Sequence, residues 1–219
     1  GIVPPSEGYL QKLRDICSDN GSILIFDEVI TGFRLSRGGA SQWFGVQPDL
    51  WCFGKVIGGG LPMGAYGGSA DLLRHIAPLG AVYQAGTLSG NPIATAAGLA
   101  QLRLLTEEAY VSLEKTAERL SKGFEKVFYV TNFPAVVPRV GPLLSIFFTE
   151  SQPSNFDEAK IAAENGMYQK FFHGMLQLGV AFPPGPYEAL FPSMAHSDEV
   201  IDQTIETALE VVKRIKSGR

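Results

Sequence analysis

The chain has 219 residues, 45% hydrophobic and 18% charged, which is enough apolar content to bury a sizeable core and excludes a disordered or collagen-like chain. Eighteen Lys and Arg against twenty-two Asp and Glu leave a formal charge of −4, so there is no electrostatic footprint for nucleic acid or an anionic membrane surface. Two cysteines, Cys17 and Cys52, cannot build a disulfide framework and lack zinc-ligand spacing, so they read as buried, reduced thiols. No apolar run reaches the length of a membrane span, and the start has no signal-peptide pattern. Gly1 stands where a natural start would carry Met, and GIVPPSEGYL reads as a loop entering a helix, so further sequence is expected upstream.

A first helix is predicted from Ser6 as N-cap, with Glu7 in its first turn and Leu10, Leu13 and Cys17 on one face, stopping at Asn20-Gly21. The continuous run Ile23 to Phe26 predicts a strand covered on both faces of a parallel sheet, with Asp27 and Glu28 at its carboxyl end. Leu50 to Phe53 predicts a second strand ending at Gly54-Lys55, and Ala65 to Gly67 a third, before a helix from about Ala70. Asn91 as cap and Pro92 at the first position open a helix to about Leu105. A long amphipathic helix follows from Glu107, then strands at Ala135 to Val140 and Leu143 to Thr149. A helix from about Asp157 to Leu178, weak at Gly166, precedes a short strand at Val180 to Phe182. Ser197 caps the last helix, which carries acids at its start and Lys213, Arg214 and Lys216 at its end, matching the helix dipole. This order predicts α/β architecture, with residues 1–105 belonging to a larger α/β domain and 106–219 forming a smaller α+β domain.

A carboxylate at the end of a buried strand requires a cationic or hydrogen-bonding partner, so Asp27 reads as a capping or metal residue as readily as a cofactor ligand. Lys55 lies between DLWCFG and VIGGGLPMG, with no other charge from Asp49 to Asp71, and reads as a semi-buried lysine able to serve as a nucleophile. The glycines 58–60 do not make a phosphate loop, because they follow the lysine and Val56 takes the Ser/Thr place; a tight backbone passage is the preferred reading. GTLSGNP, residues 86–92, places hydroxyls and glycines before a helix start, where donors and the dipole favour an anion, though turn and cap formation explain the same residues. His75, His173 and His196 show no ligand spacing, and no metal site is expected. Asp27 and Glu28, adjacent on a strand, face opposite sides, and Glu188 alone in a loop reads as solvated.

Together LIFDEVITGFR, FGKVIGGGLPMGAYGG and VYQAGTLSGNPIATAAG resemble the class III, fold-type I pyridoxal-phosphate enzymes, along nearly all of this chain but only the carboxyl half of a family member. The resemblance implies part of a large cofactor domain with a mainly parallel sheet, followed by the small domain. It implies that Asp27 pairs with the pyridine nitrogen, Val29 packs on the ring and Lys55 condenses with the cofactor aldehyde and moves protons. Gly86 and Thr87 would bind the phosphate of a neighbouring subunit, making a homodimer part of the site. Glu188 would be the family's active-site glutamate, with Tyr83 near the same cavity.

Within the family, PYEALFPS has no Arg where many 2-oxoglutarate-using relatives carry one, and GTLSGNP replaces their GSTFGGNP. Both departures imply the aminomutase branch, which enters its cycle as pyridoxamine phosphate and isomerises (S)-4-amino-5-oxopentanoate to 5-aminolevulinate. The alternatives are an omega-aminotransferase and a non-catalytic scaffold. The implied compartment is cytoplasmic, or the plastid stroma in a plant or alga. The missing partner is the amino-terminal half of the same protein, without which this segment is expected to be inactive.

Overall fold

The computed structural model describes residues 1–218, which divide into two compact units, residues 7–110 and residues 1–6 with 111–218. In the first, helix α1 (Tyr9–Asp19) leads to strand β1 (Ile25–Glu28) and short helix α2 (Gly39–Phe44). Strand β2 (Leu50–Phe53), a 3-10 turn at Lys55–Gly58, strand β3 (Ala65–Gly68), short helix α3 (Ala70–Leu73) and helix α4 (Pro92–Leu104) complete it. Ser6 does not cap α1. Gly8 does so with φ 73°, a left-handed turn open to glycine, and Glu7 falls outside the helix.

The sheet order is β1-β2-β3, parallel between β1 and β2 and antiparallel between β2 and β3. A wholly parallel return would need a crossover helix, and the connection from Gly54 to Gly64 holds only a 3-10 turn. The first strand also lies two residues later than its apolar run suggests. Ile25 is 54% exposed, so in this chain the run is covered on one face rather than two. Asp49 joins α1 to the sheet by accepting from the Leu24 amide at 2.7 Å and from Arg14 at 2.8 Å. The Leu24 amide first, then the guanidinium, hold its carboxyl below the usual range. That tie is present above the ordinary Asp pKa and is lost as pH falls through the lowered one.

In the second unit, helix α5 (Glu107–Val130), which belongs to it from Val111 onward, packs with α7 (Met167–Gln177) and α8 (Asp198–Lys216) around the hairpin β4 (Arg139–Val140) and β5 (Leu143–Leu144). Pro138 interrupts the first of the longer strands expected here, because proline cannot donate to a ladder, and an isolated bridge between Val136 and Phe147 continues the pairing. Residues 180–182 are not a strand, and Leu190 instead bridges to Leu144. Gly166, at φ 76°, divides the predicted single helix into α6 (Phe156–Glu164) and α7. Asn165 fixes that break by accepting from the Met167 amide and donating to the Phe148 carbonyl.

Phe124, fully buried, lies within stacking distance of Phe128 and Phe182 at the centre of this core. Phe124→Ala is expected to destabilise this unit by about 3–5 kcal/mol through lost burial and a residual cavity, read as a lower urea midpoint. Among the described residues no helix is long and apolar enough to cross a membrane.

Candidate active site

Parallel pairing sets Asp27 opposite Cys52 and Glu28 opposite Phe53, and the antiparallel pairing sets Cys52 opposite Tyr66. Alternation along the strands therefore puts Asp27, Cys52 and Tyr66 on one face, and Phe26, Glu28 and Trp51 on the other. The second face is closed by α2, where the Trp51 indole donates to Ser41 Oγ at 3.2 Å.

Glu28 is 1% exposed and fully engaged. Its carboxylate accepts from Thr31 Oγ1 at 2.9 Å and from the amides of Ala40 and Ser41 at 2.6 and 2.8 Å. Gly39, at φ 66°, passes so close that a Cβ there would fall 2.0 Å from Glu28 Oε2. This carboxylate ties the loop beyond β1 back onto the strand end, a role that strand alternation alone does not show. Glu28→Gln would aim an amide donor at backbone N–H groups, and a loss of about 1–3 kcal/mol is expected in thermal unfolding.

At the open face, Asp27 Oδ1 accepts from the Val29 amide at 3.0 Å. Asp27 is exposed, and among the described residues no cation pairs with it, contrary to the buried, paired carboxylate the apolar run suggests. Val29 packs on Gly54, where an added Cβ would lie 3.1 Å from Val29 Cγ1. Lys55 follows directly, opening the 3-10 turn with φ 47°, a left-handed backbone uncommon outside glycine. It is exposed rather than semi-buried.

Of glycines 58–60, Gly59 makes the close backbone passage, while Gly58 meets Met63 and Gly60 faces open space. An added Cβ at Gly59 would stand 2.4 Å from the Ala97 carbonyl oxygen of α4, and one at Gly98 would stand 2.0 Å from that of Ile57.

Gly86 and Thr87 lie in the exposed stretch before α4, where the Ser89 amide donates to the Gly86 carbonyl at 2.9 Å. Asn91 caps α4 as expected, accepting from the amides of Ile93 and Ala94. Tyr83 is exposed in the same stretch. Glu188 belongs to the other unit, at an exposed turn where its amide donates to the Gly185 carbonyl. There, burial first and the Glu188 charge second push the Tyr168 phenol up to about 12. The structure thus brings Asp27, Val29 and Lys55 to the carboxyl ends of two parallel strands, with Gly86 and Thr87 in the same unit and Glu188 in the second. Cys17 and Cys52 are free and half-buried rather than buried. Among the described residues no His, Cys, Asp and Glu group could hold a metal.

The sequence pattern of class-III aminotransferases matches residues 1–212. The chain belongs to the class-III aminotransferase family. A glutamate-1-semialdehyde 2,1-aminomutase of Ruminiclostridium cellulolyticum is 50% identical over 97% of the chain and 49% of its own length. Among solved structures, an omega-transaminase from Sphaerobacter thermophilus superposes with a TM-score of 0.89 at 28% identity, over 99% of this chain and 50% of that one. A glutamate-1-semialdehyde aminomutase from Pseudomonas aeruginosa, in complex with PMP, gives 0.86 at 27% identity, over 97% and 49%. The fold is therefore that of fold-type I family members, and the chain spans about half the length of the relatives it matches. Backbone similarity does not separate transaminase from aminomutase within the family.

Proposed function

We propose that this chain is the lysine-bearing half of a glutamate-1-semialdehyde 2,1-aminomutase, which isomerises (S)-4-amino-5-oxopentanoate to 5-aminolevulinate. The observation that carries the reading is the 50% identity to an aminomutase over 97% of the chain, joined to the convergence of Asp27, Val29 and Lys55 at the strand ends.

The donor set fits pyridoxal or pyridoxamine phosphate. Asp27 keeps acceptor capacity beyond its single backbone bond, as a pyridinium N–H requires, and Lys55 offers an exposed primary amine. When bound, the cofactor ring supplies the electron sink for carbanion formation at the substrate carbon. Asp27 would hold the ring nitrogen protonated, and Val29, fixed against Gly54, would support the ring face. The Lys55 amine would take and return protons at the carbon next to the migrating nitrogen. Gly86 and Thr87 would offer an amide and a hydroxyl to the phosphate of a second subunit in a homodimer, and Glu188 would act on the substrate side. The proposed compartment is the cytoplasm, or the plastid stroma in a plant or alga.

The test uses the full-length protein with glutamate semialdehyde and no second substrate. Formation of 5-aminolevulinate supports the aminomutase, whereas turnover only with an added 2-oxo acid would assign an omega-aminotransferase. Absence of cofactor absorbance would leave only a scaffold.

A further inference from the structure

Among the described residues no side chain pairs with Lys55, so the position of its amine depends on the backbone that carries it. That backbone is fixed on two sides. Before it, Gly54 is covered by Val29; after it, the 3-10 turn closes with the Ile57 amide on the Gly54 carbonyl at 3.2 Å, the Gly59 amide on Val56 at 3.1 Å and the Leu61 amide on Gly58 at 3.0 Å. The turn then meets α4 without intervening side chains. Gly98 has only hydrogens facing the Ile57 carbonyl, and Gly59 only hydrogens facing that of Ala97. Met63 closes the edge of this crossing, with its Cβ 3.2 Å from the Cβ position of Gly58 and its Sδ 3.6 Å from that of Gly98.

Even one methyl group at Gly98 would overlap a backbone oxygen that belongs to the turn itself. The turn would have to move away from α4, carrying Lys55 with it. An unstrained lysine would tolerate such a shift, but Lys55 already sits at φ 47°, a conformation that persists only where its surroundings enforce it.

We infer that Gly98 is a positioning residue for Lys55: its close approach to the Ile57 carbonyl seats the 3-10 turn on α4 and so fixes the amine relative to Asp27 and Val29. This rests on the reading of Lys55 as the reacting lysine. The same helix begins at the Asn91 cap, four residues beyond Thr87. One rigid element therefore gives both the lysine turn and the phosphate-side segment a common reference.

The experiment compares full-length wild type with Gly98→Ala and Met63→Ala. Alanine is the better helix former, so any loss in Gly98→Ala does not come from α4 itself. In cofactor-free protein, amide exchange at Ile57, Gly59 and Leu61 is expected to accelerate by about tenfold in Gly98→Ala, and acetylation of Lys55 by acetic anhydride to change rate. In holoenzyme, kcat is expected to fall by about 10- to 100-fold with KM little changed, as for a displaced reacting group. Met63→Ala, which loosens the crossing without a clash, is expected to move the same readouts less.

A folded Gly98→Ala with wild-type exchange, or with faster exchange and unchanged kcat, overturns the inference. If Gly98→Ala does not fold, unchanged exchange and acetylation in Met63→Ala overturn it. Exchange and acetylation need no substrate, so they decide the positioning role even if the wild type proves not to be an aminomutase.

Discussion

Lys55→Ala in the full-length protein is expected to lower turnover by about 100- to 10,000-fold, the range associated with loss of a positioned acid/base group. Cofactor should still associate through its phosphate and ring contacts, so the loss falls on kcat rather than on occupancy. Borohydride reduction followed by peptide mapping should place the pyridoxyl label on Lys55 in wild type and on no specific lysine in the variant. A wild-type label on any other lysine would sink the assignment. The structural reason for singling out this amine is its place at the end of β2, beside the Val29–Gly54 contact and one strand away from Asp27.

Asp27→Asn is expected to retain most of the bound cofactor while turnover falls by about 100-fold or more, the scale of losing one preorganised electrostatic contact. An amide keeps an oxygen able to accept from the Val29 amide, so the strand end survives. What it lacks is the negative charge that favours a protonated ring nitrogen. Turnover and cofactor content measured on one preparation separate these effects, and unchanged turnover would contradict the role given to Asp27.

Much of this was legible in the sequence because local rules coincide with it. Asn91-Pro92 and Ser197 start α4 and α8 where cap chemistry places them, and Gly166 breaks the helix it weakens. Local rules fail where tertiary structure decides. Ser6 is an adequate cap, but Gly8 can turn the chain later and does. Ile23 to Phe26 reads as doubly covered, yet the strand runs on through two acids because Glu28 finds donors in Thr31 and in the Ala40 and Ser41 amides of α2, more than ten residues on. The antiparallel β3 follows from the length of a connection rather than from any pattern within the strand. At the site, Asp27, Lys55 and Gly86-Thr87 are visible as residue types in suggestive surroundings. Gly98 is invisible without coordinates, since an alanine-rich helix gives no sign of which small residue meets a carbonyl.

The left-handed backbone of Lys55 sets chemistry against folding at a single codon. A residue with a Cβ pays about 1–2 kcal/mol to hold that conformation, and glycine does not, although its freer unfolded chain returns part of the difference. Lys55→Gly is therefore expected to melt higher than Lys55→Ala despite lacking any side chain. Selection for stability alone would drive this position toward glycine, like its neighbours at 54, 58, 59 and 60. On the function proposed above, the amine of Lys55 is what that conformational cost is set against.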